Sequence, residues 1–191
     1  MMSRLIAAPA LAALVMCLPV AATAQTPRFL PNRDAAVTYA TTGSDAAVPP
    51  SITIRYFSAG DRLRIEGGPL GFLLVDRVME RVELVMPQPK LVWELPPGGG
   101  ITDGFILGNQ LRFSRAGQSK VLGRSCTIYD VAADRATGQV CLTPEGLLLR
   151  GEGRGRDGRT ARIEATAVTF QTQPAGLFSP PEGARIVAMP Q

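Results

Sequence analysis

Residues 51–66, SITIRYFSAGDRLRIE, decide the fold class of this chain. Ile52, Ile54 and Tyr56 alternate with Thr53, Arg55 and Phe57, so an extended backbone sends the two sets to opposite faces. Ala59-Gly60-Asp61 turns the chain into Arg62–Glu66, where Leu63 and Ile65 point inward and Arg62 and Arg64 outward. Period 2 with one polar face predicts a half-buried antiparallel hairpin.

The same pattern recurs on either side. Ala35–Ala40 (AAVTYA) reads as a first strand, followed by the turn-rich TTGSDAAVPP. Arg124–Val131 (RSCTIYDV) and Gly138–Thr143 (GQVCLT) read as strands joined by AADRAT. Pro144-Glu145-Gly146 then turns into Leu147–Arg150. Asp157-Gly158 is a type I′ signal that returns the chain through Arg159–Phe170. Leu91–Leu95 (LVWEL) is a short extended piece fenced by prolines, Gly98–Gly100 a loop, and Ile101–Arg112 the place for one short helix with Phe105, Ile106 and Leu111 as its contacts. Leu177 and Phe178 are available to close the core. Phe72–Met86 stays open. Leu74, Val75, Val78, Val82 and Val85 fit one helical face, while FLLV and VELVM fit two strands, joined by a DRVMER that lacks Gly, Pro or Asn. Glycine and proline, about a fifth of the chain against an average near 12%, sit between these short apolar runs, as in many strands joined by turns. The expectation is a mainly β, α+β fold. Eight to ten mostly meandering strands form a strongly curved antiparallel sheet, open or partly closed, with one or two short helices.

Residues 1–24 carry Arg4, an apolar run from Leu5 to Val20, and Ala22-Thr23-Ala24, the three parts of a secretory signal peptide cleaved after Ala24. Pro9 and Pro19 argue against a membrane anchor, so no transmembrane segment is expected in the mature chain. Met16 before Cys17 argues against a lipid-modified cysteine. Residues 25–34 are a polar lead-in, and 35–191 a single domain exported to the periplasm. Cys126 and Cys141 are then the remaining cysteines, which in an oxidising compartment form one structural disulfide.

Of 20 basic and 16 acidic residues only Arg4 leaves with the leader, so the mature net charge is +3. That bias, carried by arginines with few aromatics among them, does not make a nucleic-acid platform. The chain has no histidine. Ser-His-Asp and Cys-His nucleophile systems and His-ligated zinc are therefore excluded, and the residues call for no cofactor, metal or catalytic group.

Gly123-x-x-Cys126-x-x-Tyr129, then Val140-Cys141-Leu142-Thr143-x-x-Gly146-Leu147-Leu148-Leu149-Arg150, Leu177-Phe178-x-x-Pro181-x-Gly183 and the earlier Arg62-Leu63-Arg64-Ile65 resemble an uncharacterised family of exported bacterial proteins related to the lipoprotein-carrier (LolA/LolB-like) superfamily. The resemblance implies a half-barrel whose concave side is covered by short helices, with space for acyl chains between them. It also tips Phe72–Met86 towards a hairpin.

Two surfaces follow as candidates. Tyr56, Phe57, Phe72, Leu74, Trp93, Phe105 and Phe113, with Phe170, would line a cavity for an acyl chain or similar lipid, unless they are ordinary core. Arg150, Arg154, Arg156, Arg159 and Arg162 form a basic patch around the Asp157-Gly158 turn, suited to an anionic headgroup or an acidic envelope partner. Asp76, Glu80 and Glu83 alternate with Arg77 and Arg81 and read as a solvated surface. The leading expectation is a non-enzymatic carrier of a hydrophobic ligand; the alternative is an envelope protein–protein interaction domain with a filled core.

Overall fold

The computed structural model describes residues 26–44, 48–95, 111–133, 136–155 and 158–188. The leader, Phe105 with the expected helix before Leu111, and Arg156-Asp157 at the expected turn lie outside the described residues. Among the described residues there are twelve strands: β1 (Ala35–Gly43), β2 (Ser51–Phe57), β3 (Arg62–Gly68), β4 (Gly71–Asp76), β5 (Arg81–Met86), β6 (Leu91–Leu95), β7 (Arg112–Val121), β8 (Arg124–Ala133), β9 (Ala136–Leu142), β10 (Leu148–Gly155), β11 (Thr160–Thr169) and β12 (Arg185–Ala188). They form one open sheet in the order β12-β6-β5-β4-β3-β2-β1-β11-β10-β9-β8-β7. Two antiparallel meanders meet where β1 pairs with β11, and the parallel pairing is β12 on β6. Helical backbone among the described residues is confined to two 3-10 turns, Ser58–Gly60 and Ala175–Phe178.

The 51–66 hairpin forms in the expected register, with Ile54 opposite Ile65 and Tyr56 opposite Leu63. Directly opposed residues share a face, so Val37, Ile54, Leu63, Val75 and Val82 lie on one side and are buried in one cluster. Tyr39 belongs to it as well. Its hydroxyl donates to the Leu148 carbonyl at 2.8 Å and lies 3.2 Å from the Tyr56 hydroxyl.

Phe72–Met86 is a hairpin, β4 against β5. The missing turn residue is supplied by a side chain. Asp76 Oδ1 accepts the Met79 N–H at 2.9 Å, while Oδ2 pairs with Arg62 at 3.0 Å. An aspartate at the start of a turn thus does the work of a Gly or Asn within it, and Glu80 takes the left-handed conformation at φ 51°.

More strands form than the eight to ten expected. β7 was hidden because most of its residues are exposed on both faces, so no alternation marks it. β12 is only four residues long and depends on β6 for its pairing. Between β11 and β12 the chain crosses the face of β2–β4 that carries Arg55, Arg64 and Phe72. Arg64 Nη1 donates to the Leu177 carbonyl at 3.0 Å, Phe57 stacks on Phe178 at 5.3 Å, and Ala184 packs against the Phe72 cluster.

The lead-in is tied down. Asp34 accepts the Ser58 N–H at 2.9 Å, the Ser58 hydroxyl at 2.8 Å and the Gln173 N–H at 2.8 Å. Burial works to raise its pKa, but these three hydrogen bonds outweigh it and hold the carboxyl below its ordinary value.

Candidate functional site

The apolar candidates are distributed over both faces. Tyr56 is in the main core with its hydroxyl against Tyr39, and burial pushes its phenol up to about 12. Phe57, Phe72 and Leu74 lie on the other face, Phe57 against Phe178 and the other two with Val85 and Val92. Arg64 covers the Phe72 ring at 3.5 Å. Trp93 is half-buried on β6, on the face of Leu84 and Val75. Phe113 joins a third cluster, 5.9 Å from the Phe29 ring and 6.0 Å from that of Tyr129. Phe170 lies beneath the guanidinium of Arg33 at 3.7 Å. These residues sit in separate packed groups. Of the acidic trio, Asp76 and Glu83 are buried on one face of the β4–β5 pair, contrary to the expected solvated surface, and each is paired, Asp76 with Arg62 at 3.0 Å and Glu83 with Arg81 at 3.4 Å.

The Cys126–Cys141 disulfide forms, with 5.4 Å between Cα atoms. Cys141 opposes Ile128, so the bridge runs diagonally across the β8–β9 ladder. Beside it Arg150 and Arg162 come together with two carboxylates. Glu164 accepts from Arg150 at 2.9 Å and from Arg162 at 2.8 Å, and Arg162 also lies 3.6 Å from Glu152. The guanidinium of Arg162 is the largest influence on Glu164, lowering its pKa. Two of the five arginines of the expected basic patch, Arg150 and Arg162, are therefore neutralised within the sheet.

A concavity of about 1160 Å³ spreads across this face from β7 to β11 and β1. Register organises it into two rows. The first runs Arg112, Ala132, Thr137, Arg154, Thr160, each opposing the next across neighbouring strands. The second runs Ser114, Asp130, Gln139, Glu152, Arg162, Thr42. Gln139 donates to Asp130 at 2.9 Å, which with the Glu152–Arg162 pair ties the second row internally. Between the rows on β9, β10 and β11 stand the small residues Gly138, Gly153 and Ala161. A Cβ on Gly138 would lie 2.2 Å from the Glu152 carbonyl oxygen, so glycine is what lets β9 and β10 approach here. Arg112, Asp130 and Gln139 escape a reading by sequence patches because they come from three strands. The β8–β9 hairpin signal placed Asp130 and Gln139 on neighbouring strands without their register.

No protein-family model matches the sequence, and no curated protein matches it. Among solved structures the chain is similar to PNGF-II, with 17% identity over 82% of this chain and 31% of that one, at a TM-score of 0.51. It therefore spans about a third of that protein's length. Two others are similar at lower scores. The Pseudomonas aeruginosa MucA/MucB complex matches at 13% identity, 82% and 58% coverage and a TM-score of 0.47. A LolA superfamily protein from Nitrosomonas europaea matches at 10% identity, 80% and 92% coverage and a TM-score of 0.43. At these identities the likeness is one of fold.

Proposed function

We propose that this chain is an exported, non-enzymatic binding module that holds a segment of an envelope protein in the trough across β7–β11 and β1. The observation that carries this reading is the chemistry of the trough. Its lining sets arginine, carboxylate, amide and hydroxyl groups among glycine, alanine and Val131, with no aromatic side chain, whereas the aromatic residues that an acyl chain would need are packed into separate clusters on both faces. A shallow concavity of mixed polar and small apolar lining, with paired charges, suits the mixed contacts of a protein partner. Export is supported by the leader-like residues 1–24 and by the disulfide.

A photo-crosslinking residue placed at Thr137, in the trough, is expected to capture one discrete partner in cells, while one at the exposed Leu70 does not. Equal labelling from both positions, or none from Thr137, refutes the reading. Native mass spectrometry of the exported protein is expected to return the bare mass of the chain. A lipid mass removed by organic extraction would favour the acyl-chain reading instead.

A further inference from the structure

The two rows of the trough differ in their charge balance. In the second row the charged groups are partnered, Asp130 by Gln139 and Glu152 by Arg162. In the first, Arg112 and Arg154 are exposed and make no ion pair among the described residues. Ala132 and Thr137 between them are too short to fill the space. Register fixes the separation of the two arginines. Arg112 opposes Ala132, Ala132 opposes Thr137, and Thr137 opposes Arg154, which makes three strand spacings, about 14 Å. An extended peptide advances about 3.4 Å per residue and returns to the same face every second residue. Residues i and i+4 of such a peptide therefore stand about 14 Å apart on one face. Residues i and i+2 reach only about 7 Å, and i and i+3 face opposite ways.

Resting on the reading above, we propose that this row recognises an extended acidic segment of a partner protein, laid across β7–β10 with carboxylates four residues apart, one on each guanidinium. The planar fork of arginine matches a carboxylate with two parallel hydrogen bonds, which gives the pairing both strength and direction. These cations, unpaired among the described residues, argue for an acidic partner over a second copy of this chain. β7 carries Arg112, Arg115 and Lys120 with no acidic residue, so two copies meeting there would oppose like charges.

The test is fluorescence anisotropy with the exported chain, disulfide intact, and labelled peptides of Ser, Thr and Val. One carries two glutamates at i and i+4, an isomer carries them adjacent, and a third has glutamine in their place. The i, i+4 peptide is expected to bind about tenfold more tightly than its isomer, the loss of one charge-assisted contact. Arg112→Ser and Arg154→Ser are each expected to abolish that preference. A preference that survives both substitutions overturns the assignment to these two residues. Equal binding of both glutamate peptides, lost when Thr137→Trp fills the trough, overturns the spacing rule and leaves the trough as a protein site. No binding of any peptide, with or without binding to phosphatidylglycerol vesicles, overturns both.

Discussion

Tyr39 and Tyr56 offer a test of how the two meanders are joined. Tyr39 is fully buried and spends its one proton on the Leu148 carbonyl at 2.8 Å. At the 3.2 Å contact between the hydroxyls, Tyr56 must therefore be the donor and Tyr39 the acceptor. Burial pushes the Tyr39 phenol well above its ordinary value and Tyr56 up to about 12, so both are neutral wherever the protein is handled. Tyr39→Phe deprives Leu148 of a donor and leaves the buried Tyr56 hydroxyl with no acceptor. A lost bond costs about 1 kcal/mol and an orphaned buried group about 1–3, giving about 2–4 kcal/mol. Tyr56→Phe removes only the donor to Tyr39, whose own bond survives, and costs about 1 kcal/mol. In the double variant the orphan is gone, so its cost is expected to be no greater than that of Tyr39→Phe alone. Urea unfolding followed by circular dichroism and Trp93 fluorescence reads these as midpoint shifts at unchanged slope. If Tyr56→Phe costs as much as Tyr39→Phe, or the two effects add, the direction of the hydrogen-bond chain is wrong.

Three further outcomes are expected. Replacing both Cys126 and Cys141 by serine opens a loop with a sequence separation of 15 and is expected to cost about 3 kcal/mol in chain entropy, measured by denaturant unfolding. The Asp34 carboxyl is held below its ordinary 3.8 in the folded state, so the stability it contributes is complete above that value and is lost as pH falls through the lower folded value. Acid titration of stability should therefore show a shallower loss in Asp34→Asn than in the parent, and an identical acid limb would refute the role of these hydrogen bonds. Gly138→Ala is expected to destabilise by about 1–3 kcal/mol, because its Cβ would meet the Glu152 carbonyl oxygen. A thermal midpoint equal to that of the parent would show that β9 and β10 can part without cost.

The 51–66 hairpin and the β8–β9 and β10–β11 pairs were legible because apolar and polar residues alternate and turn residues punctuate them. The β4–β5 turn was not, since its turn former, Asp76, acts through a side chain at the strand end, outside the DRVMER tip where glycine would be sought. The strap that follows β11 was equally hidden. Arg64, Gln173 and Phe178 contact it or belong to it across more than a hundred residues of separation, and no local pattern encodes that. The site was half legible. Arg150, Arg154 and Arg162 stand out as charges near one turn, but whether each is neutralised depends on Glu152 and Glu164 being cross-strand neighbours. Arg112 belongs to the trough only through the register of β7, a strand without alternation.

Arg112 has a second physical role that the trough reading must be separated from. β7 is an edge, and charged residues and a bulge between Arg115 and Gly117 are what keep an exposed edge from pairing with another chain. Edge protection is shared by Arg112, Arg115 and Lys120 alike, since each raises the repulsion against a second β7. Recognition in the trough is not shared. Arg115 opposes Tyr129 and Lys120 opposes Ser125, so both project from the face away from Asp130 and Cys126, whereas Arg112 lies in the row with Arg154. Replacing Arg115 and Lys120 together by serine is therefore expected to promote self-association in sedimentation while leaving peptide affinity within about twofold, because distant exposed charges are screened beyond about 8–10 Å. Arg112→Ser should do the reverse in binding, abolishing the preference for spaced carboxylates. If the Arg115/Lys120 pair weakens the i, i+4 peptide as much as Arg112→Ser does, the peptide senses only the summed positive charge of β7, and the two-point geometry is refuted.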